Sequence, residues 1–144
     1  MVAQKIKIYV DVNIFIYWLA DNPTYGETAC QWIKKIEKSP LGTYLTSALT
    51  LYEATVIMAI LSGGNVRDTE FLKKVLEPIE LLPGLQIVQL ENKDIIEALK
   101  LVEKYNLDLE DAIHLATALR EKSTAILSND KDFDRTPLKR IFLE

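Results

Sequence analysis

The sequence predicts an α/β protein: a three-layer α/β/α sandwich with a central parallel sheet of four or five strands. Two observations lead there. Short runs with strand character alternate with longer amphipathic runs along the whole chain, an order that implies parallel strands joined by helical crossovers. No repeat, low-complexity tract or Gly/Ser linker interrupts that order, so residues 1–144 read as a single domain, and 49% hydrophobic residues suffice for one core.

Taken in order, Lys5 to Val10 alternates and then turns apolar, as a strand entering a core does, and Asp11 stands at its carboxyl end. Ile14 to Leu19 is helical and stops at Asp21-Asn22-Pro23. A second helix is expected from Tyr25 to Lys38, because Ala29, Trp32, Ile33 and Ile36 recur at three- and four-residue steps. Thr43 to Thr46 reads as a strand, and Ala48 to Leu61 as a helix ending left-handed at Ser62-Gly63-Gly64. A helix over Val66 to Glu77 is expected to break at Pro78, and Leu85 to Leu90 alternates as a strand. Asn92 is expected to cap a helix whose apolar face carries Ile95, Ile96, Leu99 and Val102. Asp108 opens a helix to Glu121, and strands are expected at Thr124 to Leu127 and Arg140 to Leu143.

The formal charge of −4 argues against a broad electrostatic surface for nucleic acid, unless several acids form one cluster that a cation neutralises. Val12 to Ala20, the longest apolar stretch near the start, is too short to cross a bilayer, so no membrane association is expected. The single cysteine, Cys30, permits no intrachain disulfide; it reads as a buried, inert thiol in a cytoplasmic protein. In the first helix Val12 and Ile14 to Leu19 leave hardly any polar face, so a second chain is expected to cover it.

Function is carried by carboxylates. In an open parallel sheet ligands bind beyond the carboxyl ends of the strands, where Asp11 and Asp130 both stand. Glu53 and Asp111 fall in the early turns of helices leaving the same rim, so all four can share one mouth. Oxygen ligands without a His or Cys cluster favour Mg2+ or Mn2+, ions that serve phosphate chemistry. Asn13 and Ser128 could orient the ligands or a metal-bound water, and Lys131 and Arg135 could touch phosphate.

Each acid has a plainer reading. Asp111 follows Asp108 by three residues and could belong to a helix cap. Asp130 could be a turn aspartate and Glu53 part of a polar helix face, whereas an aspartate ending an apolar strand, as Asp11 does, is hard to explain by solvation alone. Asn13 could cap the first helix, and His114, the only histidine, reads as packed or surface.

Four motifs together, Val10-Asp11-Val12-Asn13-Ile14-Phe15, Ser47 with Leu51-Tyr52-Glu53-Ala54, Leu109-Glu110-Asp111-Ala112-Ile113-His114-Leu115-Ala116-Thr117-Ala118 and Ile126-Leu127-Ser128-Asn129-Asp130-Lys131-Asp132-Phe133, resemble the PIN domain family, especially the toxins of VapBC toxin–antitoxin pairs. The resemblance spans nearly the whole chain. It implies a parallel-sheet sandwich, Mg2+ or Mn2+ at the acidic site, metal-dependent endonucleolytic cleavage of RNA, a homodimer and a small antitoxin partner. Asp11, Glu53, Asp111 and Asp130 fall on the family's acidic positions, with Asp132 as a rival for the fourth. The family often has Thr or Ser after the first aspartate; Val12 stands here, so hydroxyl help must come from elsewhere. The alternative is a PIN fold that binds nucleic acid or protein without cleaving. A phosphohydrolase of another type is disfavoured, because Asp11 lacks a second acid two residues on and no P-loop glycine pattern is present.

Overall fold

The computed structural model describes residues 5–143; positions 1–4 and 144 of the expected domain lie outside the described residues. Its centre is a five-stranded, all-parallel sheet. The strands are β1 (Ile8–Val10), β2 (Tyr44–Ser47), β3 (Leu85–Val88), β4 (Ala125–Leu127) and β5 (Lys139–Ile141), in the order β3-β2-β1-β4-β5. The chain winds outward from β1 through β2 to β3, then crosses to β4 on the other side. Beyond the carboxyl ends of β1 and β4 lies the crevice such a reversal creates.

Period-two alternation divides the sheet between two cores. Val10, Tyr44 and Leu127 face a core shared with α1 (Val12–Leu19), α2 (Gly26–Glu37), α3 (Ala48–Ser62) and α4 (Thr69–Glu80). Tyr9, Leu45 and Ile126 face the opposite core, shared with α5 (Asn92–Tyr105) and α6 (Leu109–Arg120). The predicted α/β/α sandwich is therefore present, and the expected strands are all found, several of them shorter than the apolar runs that announced them.

Helix ends account for most of the remaining differences. Gly63 ends α3 at φ 71°, the left-handed cap expected there. Between α4 and β3, Gly84 sits at φ 82°, where a Cβ would lie 2.0 Å from the Ile36 carbonyl oxygen, so only glycine fits. Helix α4 starts later than expected because Asp68 caps it by accepting from Glu70 N at 3.1 Å. It also continues through Pro78, which falls in its last turn. A proline there forfeits one hydrogen bond near an end that frays in any case.

Two expectations fail. Asn92 does not cap α5; Glu91 does, in a capping box with Asp94. Nor does the apolar face of α5 turn inward: Ile96 and Leu99 are 64% and 60% exposed, while Asp94, Ala98 and Leu101 are buried. The reason is polar. Arg120 of α6 donates Nε to Asp94 Oδ1 at 2.8 Å and Nη2 to Asp94 Oδ2 at 3.1 Å, and its Nη2 also reaches the Gln89 carbonyl at 2.8 Å. The bidentate pair rotates α5 so that Asp94 faces α6.

The first helix corrects a further expectation. Val12, Ile14, Phe15 and Ile16 are buried within the chain's own core, and Tyr17, Trp18 and Leu19 pack against it, so no second chain is needed to cover α1. Cys30 is half-buried rather than buried.

Burial alone would raise the Asp94 carboxyl, but the Arg120 hydrogen bonds outweigh it and hold the carboxyl below its ordinary value of 3.8. A depressed carboxyl stabilises the fold above its unfolded pKa, and that contribution is lost as pH falls through the folded value. Asp94→Asn is expected to cost about 2–3 kcal/mol at pH 7, the worth of hydrogen bonds to a charged group. Urea unfolding at pH 7 and pH 3 checks this: the gap between parent and variant should narrow at pH 3, and an unchanged gap would show that charge is not the cause.

Candidate metal centre

The carboxyl end of β1 delivers Asp11 into the crevice while α1 begins on the next residue. Asp11 is therefore the N-cap of α1, accepting from Val12 N at 2.8 Å, and Asn13 is not. Its other oxygen accepts from Ser128 Oγ at 2.7 Å and Asn13 Nδ2 at 3.2 Å. Ser128, the first residue after β4, supplies the hydroxyl that Val12 cannot. The same Oγ accepts from Asp130 N at 3.0 Å, so one buried serine joins the ends of both central strands. Asp11 is only 4% exposed, and burial raises its carboxyl above the ordinary value, the charge of His114 and the Ser128 hydrogen bond offsetting part of the rise.

Asp111 arrives from α6. The Asp108 side chain accepts from Asp111 N at 2.8 Å, so the capping reading holds for Asp108 and for the Asp111 backbone. It leaves the Asp111 carboxylate free. Asp130 likewise serves its turn, accepting from Asp132 N at 2.9 Å at the start of a 3-10 helix over Lys131–Arg135 that the sequence did not announce. Carboxylate oxygens of Asp111, Asp130 and Asp132 all lie within 4.8 Å of one another, a spacing at which one cation could bind all three. Burial, then the charges of Asp108, Asp11 and Asp130, push the Asp111 carboxyl up to about 8. Such crowding of hard oxygen donors fits a divalent ion such as Mg2+ or Mn2+ and offers nothing to a soft metal.

Glu53 stands apart from those three. From the second turn of α3 it points to His114, whose Nε2 lies 2.5 Å from Glu53 Oε1. His114 Nδ1 lies 2.7 Å from the Tyr9 hydroxyl, which donates in turn to Ser47 Oγ at 2.9 Å. The histidine is 1% exposed. Burial opposes its charge, but the Tyr9 oxygen, the Glu53 hydrogen bond and the Asp11 charge outweigh burial and raise its pKa well above 6.5. Burial also raises Glu53, and there the His114 hydrogen bond and charge win, holding the carboxyl below its ordinary value. Each partner thus favours the charged form of the other, and the ionised pair carries no net charge.

Of the seven residues expected around the metal, Asp11, Asn13, Ser128 and Asp130 form one hydrogen-bonded group, Asp111 and Asp132 cluster with Asp130, and Glu53 is paired with His114. The sequence reading missed Glu110, whose carboxyl is raised to about 7 by its hydrogen bond with Glu53 and, less strongly, by burial. It also undervalued His114. Its position one turn after Asp111 was the available signal, but nothing in the sequence placed Glu53 opposite it.

Among curated proteins, none matches the chain significantly. Solved structures do, at identities that speak for the fold alone. A toxin–antitoxin complex from Klebsiella pneumoniae is 21% identical over 92% of this chain and 99% of that one, with a TM-score of 0.64. VapC20 from Mycobacterium tuberculosis, a sarcin-ricin loop cleaving toxin, is 15% identical over 92% and 99%, with a TM-score of 0.72. VapBC2 from Rickettsia felis, bound to a DNA fragment from its promoter, is 16% identical over 94% and 98%, with a TM-score of 0.64. The PIN domain family model matches residues 8–139, the segment that carries β1 to β4 and every acid of the mouth, and the chain belongs to the PIN domain family.

Proposed function

We propose that this chain is a Mg2+- or Mn2+-dependent endoribonuclease and the toxin of a toxin–antitoxin pair, acting in the cytoplasm. The convergence of Asp111, Asp130 and Asp132 beside Asp11 carries the reading. Family membership and the toxins among its structural neighbours support it. Bound at this mouth, the ion would activate water and neutralise charge on the phosphate under attack.

The chain's own residues then have distinct parts. Asp11, Asp111, Asp130 and Asp132 offer the ligand oxygens. Ser128 and Asn13 hold Asp11 in one orientation through hydrogen bonds to its Oδ2. Glu53, fixed by His114, supplies negative charge behind the ligands, and the protonated histidine keeps that charge tolerable in the interior. Exposed apolar residues on α3 (Tyr52, Ile60, Leu61) and on α5 (Ile96, Leu99) support protein partners, an antitoxin and a second copy of the chain. A monomeric mass at micromolar concentration would contradict the homodimer.

Cleavage of a panel of structured RNAs is expected with Mn2+ or Mg2+ and is expected to stop in excess EDTA. Undiminished cutting in chelator would overturn the metal requirement, and no cutting with either ion would leave a binding module. Asp11→Asn and Asp111→Asn should each lose nearly all cleavage.

Stability without metal should run the other way. Because the Asp111 carboxyl is raised from 3.8 to about 8, the folded chain binds that proton more tightly than the unfolded chain. The resulting stability is present below pH 4 and is lost progressively as pH rises toward 8. Thermal melts in EDTA should therefore fall between pH 5 and pH 8, with Asp111→Asn flattening the decline and Mn2+ removing most of it. A parent whose metal-free melt does not change over that range would contradict the crowding.

His114→Gln should destabilise by about 3 kcal/mol or more near neutrality, since it leaves a buried carboxylate without its partner charge. The pair's contribution fails at both ends of the pH scale, below Glu53's lowered pKa and above His114's raised one. Urea titrations at pH 7 and pH 3.5 should show the gap closing in acid.

A further inference from the structure

We infer that Arg135 is a positioning residue for the acidic mouth: its guanidinium ties the turn carrying Asp132 to the loop that starts α6, and so sets the spacing between Asp132 and Asp111. The inference rests on the cation-binding reading above, but it concerns a side chain that offers no ligand.

Arg135 makes three contacts with three donor atoms. Nε donates to the Tyr105 carbonyl at 3.0 Å, Nη2 to the Asn106 carbonyl at 2.6 Å and Nη1 to Asp132 Oδ1 at 3.1 Å. Tyr105 ends α5 and Asn106 is its left-handed cap at φ 54°, so these carbonyls belong to a helix end that lacks intrahelical partners. A cation there is also favoured by the helix dipole. Two residues beyond Asn106, Asp108 caps α6 and holds the Asp111 backbone. Leu107 between them is buried, which leaves the connection little slack.

The other side is equally anchored. Phe133 is fully buried in the α5/α6 core, and Arg140 grips Asp134 through Nε at 2.8 Å and the Ser128 carbonyl through Nη1 at 3.3 Å. Arg140 thereby fixes the turn to its own strand end. Arg135 makes the link across to the loop before α6. That link opposes a definite force, because the two elements meet at carboxylates that repel one another.

The Asp132–Arg135 ion pair alone would do little. Both side chains are about half exposed, and such pairs contribute at most about 1 kcal/mol. What distinguishes it is that two backbone carbonyls fix the guanidinium plane before it meets Asp132. Lysine keeps the charge but cannot span three acceptors in one plane.

The test is Mn2+ binding without RNA, followed by calorimetry, for the parent, Arg135→Gln, Arg135→Lys and Asp111→Asn, with a thermal melt of each. The parent should bind and Asp111→Asn should not. Arg135→Gln should bind about 10-fold more weakly or worse, as changes to groups that orient metal ligands do. Arg135→Lys should recover only a minor part of that loss and should melt close to the parent, so it carries the test if the glutamine variant folds poorly. Parental Mn2+ affinity in Arg135→Gln, or full recovery in Arg135→Lys, would overturn the bracing role while leaving the cation site intact. A parent that binds no Mn2+ would overturn the cation-binding reading and this inference with it.

Discussion

Repulsion among carboxylates beyond the carboxyl ends of β1 and β4 is the constraint around which the rest of the chain is arranged. Asp111, Asp130 and Asp132 cluster there, the charges of Asp108 and Asp11 act on Asp111 as well, and the raised Asp111 carboxyl registers the crowding. Like charges held so close must be fixed by groups outside the cluster. The backbone of each turn contributes: Asp11 caps α1, Asp108 caps α6 at Asp111, and Asp130 caps its own turn. The second oxygen of Asp11 also accepts from Ser128, which ties the end of β1 to the end of β4.

Positive charge is distributed to match. His114 is buried 2.5 Å from Glu53, where its charge lowers the Asp11 carboxyl, while Arg135 and Arg140 grip the 131–135 turn. Arg135 touches one of the three clustered aspartates, Asp132, whereas Arg140 holds the turn through Asp134. Part of the formal charge of −4 is therefore concentrated at one place, where a cation could cancel it.

Polar contacts also decide how the outer layers sit. Hydrophobicity alone would turn Ile96 and Leu99 of α5 inward, yet they face outward because Asp94 engages Arg120. A bidentate charged pair shielded from water is strong enough to select one helix rotation over another. The consequence is an apolar strip left on the surface of α5, separate from the exposed Tyr52, Ile60 and Leu61 of α3.

The sequence by itself determined the order of strands and helices, the single parallel sheet and the acids that stand at strand ends. Those features are written in local patterns: period-two runs, three- and four-residue apolar steps, and aspartates placed where a strand stops. Asp11 and Asp130 were legible for that reason, and the cap at Asp108 for the same one. What only the tertiary structure decided are relations between residues far apart in the chain. Glu53 is paired with His114, 61 residues away in the chain. Asp132 joins the cluster because a 3-10 turn reverses the chain after β4. The apolar first helix, which alone suggested a missing partner, is covered by α2 and α3 of its own chain. Periodicity records which face of a helix is apolar; which neighbour meets that face depends on packing and on buried charge pairs, and neither leaves a local mark in the sequence.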